Sequence, residues 1–141
     1  MFDAIPTILQ SFPRPTVFEL GGHIGDDTQR MLNFAPEAQY HLFEPDPRNI
    51  AELRTRGLMQ RVQVVEAAIG SADGFTDLYL SSGSPVPVPA GTSFREWSCS
   101  SSIKRPRLHL ERHPWCQFNS TATVRVRSLD SYCQEQRVER I

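Results

Sequence analysis

The chain has 141 residues, 39% of them apolar, which is enough for one domain with a real core. Fifteen Lys and Arg stand against sixteen Asp and Glu, a net charge of -1, so charge gives no reason to expect nucleic acid or an anionic membrane surface as a partner. No run approaches the roughly 20 apolar residues of a membrane helix, and Cys99, Cys116 and Cys133 are too few and too scattered for a disulfide framework or a zinc site.

The N-terminus, with an early acid and no basic region, does not read as a signal peptide, and free thiols fit a cytoplasmic setting. Residues 1–15 form a lead-in helix closed by Pro13 and Pro15. "TVFEL" (16–20) is a buried parallel strand. A glycine turn follows, then "DDTQRMLNFAP" (26–36), a helix with Asp26, Asp27 and Thr28 as cap formers and Pro36 as its stop. "QYHLFE" (39–44) is a second strand, and "PDPRNIAELRTRG" (45–57) a helix with Asp46 as cap, Pro47 at its first position and Gly57 beyond its end. "RVQVVEAAIG" (61–70) is a third strand and turn. The alternation of apolar strands and helices predicts an α/β fold with a parallel sheet in the order 3-2-1.

After Gly70 the pattern changes. Residues 71–127 read as an excursion of strands and loops: an alternating strand at 74–82, a Pro/Gly/Ser-rich loop at 83–93, an aperiodic stretch at 98–120, and a strand through Val124 and Val126. Residues 128–141 are a helix capped by Ser128 or Asp130. The whole chain, 1–141, is one domain, with its ligand-binding half at 16–70.

The glycine turn carries the functional question. Gly21, Gly22 and Gly25 stand where a strand gives way to a helix, the place at which nucleotide-like ligands meet an open α/β sheet. A P-loop is excluded because no Lys follows the glycines. A dinucleotide fingerprint is incomplete, with Leu20 at its first glycine position and the acid pair Asp26–Asp27 set to repel a pyrophosphate. A ligand with an ammonium group, such as S-adenosylmethionine, explains Glu19 at the strand end. Glu44, ending the second strand, is placed to accept from both hydroxyls of a ribose. The turn "EAAIG" brings Ala67 and Ala68 to the adenine side.

"FELGGHIGDDT", "HLFEPDPRN", "VVEAAIGSADG" and "VRVRSLDSYC" resemble, in order and spacing, the FkbM-type methyltransferases, a Rossmann-like family that uses S-adenosylmethionine. The resemblance spans about residues 15–136 and is weakest at 83–120. It implies O-methylation of a sugar, glycan or secondary-metabolite hydroxyl. It carries the cofactor loop onto Glu19, Gly21, Gly22, His23, Gly25 and Thr28, the ribose acid onto Glu44 beside Pro45, and the adenine turn onto Ala67 and Ala68. Glu19, Gly22 and His23 depart from the family's usual Asp, Ala and Asn. Asn49 matches the family and reads as helix-start structure. In the family a further strand follows the "LDSYC" helix, so the chain is expected to be a fragment truncated after its third parallel strand plus an antiparallel excursion and a helix. The edge of strand one would then be exposed and available for homo-oligomer contacts.

No catalytic base is assigned. His109 and His113 in "HLERH" fall on a fraying turn before Pro114, and no metal site is expected. His41 reads as structural, and "KRPRLHLER" (104–112) as a solvated basic surface. Trp97 and Trp115 are either core aromatics or a sugar-stacking platform. Two other function classes remain open: a non-catalytic adenosine-ligand binding module and an NAD-dependent oxidoreductase.

Overall fold

The computed structural model describes residues 4–85 and 97–138. Most of the Pro-rich loop expected at 83–93 lies outside the described residues, as do the first three and last three positions. Helix α1 is Ala4–Gln10, followed by strand β1, Thr16–Leu20, helix α2, Asp26–Phe34, strand β2, Gln39–Phe43, and helix α3, Pro47–Thr55. Strands β3, Gln63–Val65, β4, Ala68–Ile69, and β5, Gly74–Gly83, come next. Helix α4, Leu108–Arg112, strand β6, Cys116–Arg127, and helix α5, Leu129–Gln136, complete the described elements.

The first sheet is parallel, in the order β1-β2-β3, with Val17 opposite Tyr40, Glu19 opposite Leu42 and Phe43 opposite Val65. This is the expected 3-2-1 arrangement of a Rossmann-like α/β half. Alternation gives each face its own core. On one face Tyr40 and Leu42 pack with Leu32 of α2, Leu53 of α3, Leu58 and Val62. On the other, Phe18, His41 and Phe43 surround Tyr132 of α5, with Phe43 and Tyr132 centroids 4.9 Å apart at 73°. That edge-to-face geometry suits the ring quadrupoles. Among the described strands β1 and β3 are the edges of this sheet, and Leu20 at the end of β1 is 51% exposed.

His41 is structural, as read: its Nδ1 lies 2.8 Å from the Tyr132 hydroxyl in a buried pair. Burial lowers the His41 pKa, so the neutral ring is favoured. Tyr132→Phe is expected to lower the unfolding free energy by about 1–3 kcal/mol, the cost of orphaning a buried polar atom. Urea denaturation checks this, and an unchanged midpoint refutes it.

Three expectations are corrected. The strand expected at 61–70 is two strands in two sheets. The Ala67 amide turns back to the Val65 carbonyl at 2.8 Å, and Ala68 then pairs with Val126 instead of extending β3. The second sheet therefore runs β4-β6-β5, with β4 parallel and β5 antiparallel to β6. The aperiodic stretch at 98–120 contains α4 and the first turns of pairing in β6, because β5 supplies partners as far as Gly83 opposite Cys116. Finally, α2 is not capped by Asp26, Asp27 or Thr28. Its N-cap is Gly25 in a left-handed conformation, φ 84°, with no side-chain cap.

α3 and α5 begin as their sequences indicate. Asp46 accepts from the Arg48 amide with Pro47 at the first position, and Ser128 accepts from the Ser131 amide. No described helix is long and apolar enough to cross a membrane.

Candidate cofactor site

The turns after β1, β2 and β3 converge at the carboxyl ends of the parallel strands. Between them lies a cavity of about 380 Å³, inside the roughly 300–1,000 Å³ range of small-molecule clefts. Leu20 and Gly21 come from the first turn, Phe43 and Pro45 from the second, and Ala67, Ala68 and Ile69 from the third. Leu78 of β5 and the segment Ser101, Ser102 and Ile103 form the remaining wall. The lining is mostly apolar. A larger cavity, about 680 Å³, lies at the opposite, amino ends of the strands, away from the glycine turn.

The three glycines do different work. Gly21 has φ 79°, is exposed, and a Cβ there would meet nothing within 4 Å. It alone opens onto ligand space. A Cβ on Gly22 would lie 2.4 Å from Leu42 Cγ, and one on Gly25 would lie 2.3 Å from Leu58 Cδ1. These two glycines let the turn pack on the helix-side core. The amides of Gly21 and Gly22 are also engaged, both donating to the Phe43 carbonyl at 2.8 and 3.1 Å. The turn is thus sewn to β2 and does not offer a ring of free N–H groups to a pyrophosphate.

Glu19 sits at the end of β1, half-buried, accepting from the Thr28 hydroxyl at 2.6 Å. Burial raises its pKa. The Thr28 bond works against that rise, while Asp27 and Glu44 add to it. Thr28, fully buried, braces this acid instead of capping its helix. Asp26 pairs with Arg56 and Asp27 with Arg30, both at the surface.

Glu44 is 4% exposed. Its Oε1 accepts from the Asp46 amide at 2.8 Å and the Asn49 side chain at 3.2 Å, and its Oε2 from the His23 amide at 2.7 Å. Burial raises its pKa, and these three donors partly offset the rise. A carboxylate has about four acceptor positions, so Glu44 has room for one more donor. Asn49 is confirmed as helix-start structure that orients the acid.

His23 adopts a left-handed conformation, φ 50°. Asn tolerates that region better than His does. The ring is held by Ser98 Oγ, 2.8 Å from Nε2, with Cys99 Sγ at 3.4 Å. Burial lowers the His23 pKa. His23 therefore ties the glycine turn to the excursion. Cys99 gains no acidity from the contact, since burial, with Asp26 and Glu44 nearby, raises its pKa.

Gly21, Pro45, Ala67 and Ala68 meet in the cavity, while Glu19 and Glu44 stand behind its rim. Gly22, Gly25 and Thr28 serve the scaffold. Ser101, Ser102, Ile103 and Leu78 escaped the sequence reading, since they lie in the excursion, where no motif marks them. His109 and His113 lie 4.9 Å apart, centroid to centroid, at the end of α4. Among the described residues no group of three His, Cys, Asp or Glu side chains gathers to hold a metal. Trp97 and Trp115 pack against each other at 5.1 Å and 87°.

A parallel sheet with a glycine turn, two strand-end acids and an apolar cavity at its carboxyl ends is a Rossmann-like α/β arrangement with a candidate ligand site where open sheets of this kind carry theirs. The chain is 35% identical over 130 residues to 2-O-methyltransferase NoeI of Sinorhizobium fredii (strain NBRC 101917 / NGR234). The match covers 92% of this chain and 51% of that protein, so the chain spans about half the length of the curated relative it matches. The similarity supports a relationship to methyltransferases. No family model matches the chain.

Proposed function

We propose that this chain is the cofactor-binding part of an S-adenosylmethionine-dependent O-methyltransferase of the FkbM type. The observation that carries the reading is the convergence of the three strand-end turns on one cavity. It is supported by the similarity to an enzyme named for 2-O-methylation. The cofactor supplies a methyl group activated on a sulfonium sulfur. The residues present fit it. Ala67, Ala68, Phe43 and Ile103 offer apolar walls for a flat base, Gly21 gives open backbone, and Glu44 keeps one acceptor position for a ribose hydroxyl. Glu19 supplies a carboxylate for an ammonium. The acceptor is a hydroxyl oxygen, on a sugar, glycan or secondary metabolite, and the protein's task is to align it and exclude water. The free thiols Cys99, Cys116 and Cys133 suit a cytoplasmic enzyme.

Calorimetric titration with S-adenosylhomocysteine tests the reading. The wild-type chain is expected to bind, and Gly21→Ala to bind at least about tenfold more weakly, since its new methyl projects into ligand space. The variant itself should lose only about 1–2 kcal/mol of stability, the strain of a positive φ. A folded wild type that binds neither this ligand nor S-adenosylmethionine sinks the proposal. Affinity should also fall on acidification, starting above the ordinary glutamate value of 4.5, because both acids have raised pKa values and their ionised forms hold the ligand. An affinity flat from pH 7 down to about 4 contradicts those roles.

A further inference from the structure

The outer wall of the cavity belongs to the excursion, far in sequence from the glycine turn, and a single polar network fixes it. Asp46 has no exposed surface, and its carboxylate is saturated. Oδ1 accepts from the Arg48 amide and Nε, each at 3.0 Å. Oδ2 accepts from Arg48 Nη2 at 2.7 Å and from the Ser101 hydroxyl at 2.8 Å. The Arg48 fork continues to the Ser81 carbonyl at 3.0 Å and to Ser101 Oγ at 3.3 Å. Ser101 Oγ in turn accepts from the Ser81 amide at 3.1 Å.

Ser81 takes part because the ladder releases it. The β5–β6 register shifts between Leu80 and Ser82, a bulge that leaves Ser81 out of the pairing. A bulge frees one residue's backbone groups and re-aims them. Here the freed amide and carbonyl go to Ser101 and Arg48. The Ser81 hydroxyl donates to the Trp97 carbonyl at 3.0 Å and accepts from the Ser100 amide at 3.2 Å. Both ends of the segment 97–101 are therefore clasped by one buried serine.

We infer that Ser101 and Arg48 are positioning residues for the cavity: with Asp46 and the bulged Ser81 they clasp the excursion to the start of α3. One network then sets both the Ser101–Ile103 wall and the Glu44 carboxylate. The link to Glu44 is direct, because the same Asp46 donates its amide to Glu44 Oε1. The pair is half-buried, with Asp46 fully covered and the Arg48 side chain 33% exposed. A polar network whose bonds are satisfied rigidifies the segment it holds. Arg48 does not line the cavity, and Ser101 lines it with its hydroxyl engaged by Asp46. Both act through the wall and through the acid.

The inference rests on the cofactor reading, and the experiment separates the two. S-adenosylhomocysteine is titrated into wild type, Ser101→Ala, Arg48→Lys and Ser100→Ala, each verified as folded by its thermal transition. Arg48→Lys keeps the charge but loses the fork. Ser100→Ala removes the bond from Trp97 Nε1 in the same segment but leaves the clasp intact. Ser101→Ala and Arg48→Lys are expected to weaken binding about tenfold or more, consistent with loss of hydrogen bonds to a charged group. Ser100→Ala should bind within about twofold of wild type. Ligand should slow hydrogen exchange at the Ser81 amide in wild type and not in Ser101→Ala, a change that a purely structural serine does not give. Wild-type affinity in both clasp variants overturns the inference and leaves the cofactor reading standing. No binding by wild type overturns both.

Discussion

Gly25→Ala is expected to destabilise the chain by about 2–5 kcal/mol, the larger of the glycine effects. Two costs combine. The residue has φ 84°, where a Cβ adds roughly 1–2 kcal/mol of strain. The new methyl would also lie 2.3 Å from Leu58 Cδ1 and 2.9 Å from Leu53 Cδ2, and overpacking a core costs about 1–3 kcal/mol more. Leu53 and Leu58 are 0% and 3% exposed, so neither can swing into solvent to make room. Gly21→Ala has the same backbone handicap but no neighbour within 4 Å, so it should lose less than half as much. Chemical denaturation of the two variants gives the comparison. Equal losses would show that backbone strain, not packing, sets the residue at 25.

Asp46→Ala is expected to cost about 2–5 kcal/mol, from the lost N-cap of α3, about 0.5–2 kcal/mol, and the lost hydrogen bonds to a charged group, about 1.5–3 kcal/mol. The loss leaves Arg48 without its main acceptor and removes the N-cap of α3. The pH dependence has a definite sign. Burial alone would raise the Asp46 pKa, but hydrogen bonds from Arg48 and Ser101 outweigh it and hold the carboxyl below its ordinary 3.8. A group lowered on folding stabilises the native state above its unfolded value and loses that contribution as pH falls through the folded one. Glu19 and Glu44 act oppositely. Their raised values mean that the folded state gains stability as they take up protons on acidification. His23 and His41, held below 6.5 by burial, act against the glutamates and cost stability as pH falls from 6, so the signature of Asp46 is the separate, late loss below about 3.8. Asp46→Asn should lack that late acid step. An acid transition identical to wild type would mean that Asp46 is not the group responsible.

Much of residues 16–70 was legible because the determinants there are local. Strand β1 at 16–20 and the caps Asp46 and Ser128 depend on apolar runs, on proline geometry and on side chains that bond within three residues. The convergence of Gly21, Pro45 and Ala67 follows from topology, since a right-handed parallel crossover brings successive strand ends to one rim.

Other features depend on partners distant in the chain, which no local pattern announces. Whether Gly22 and Gly25 face a ligand or a core is decided by Leu42 and Leu58. Whether Thr28 caps its helix or braces Glu19 depends on where β1 ends in space. The break between β3 and β4 is set by β6, more than fifty residues later, which draws Ala68 into a second sheet. The outer wall of the cavity could not be read at all, because Ser101 gains its role only from a buried Asp46 and a bulge at Ser81. The sequence by itself determined the parallel order, the strand-end acids and the family resemblance. The tertiary structure decided which glycine opens onto the cavity and which distant serine lines its outer wall, because packing and hydrogen-bond saturation are properties of the assembled fold.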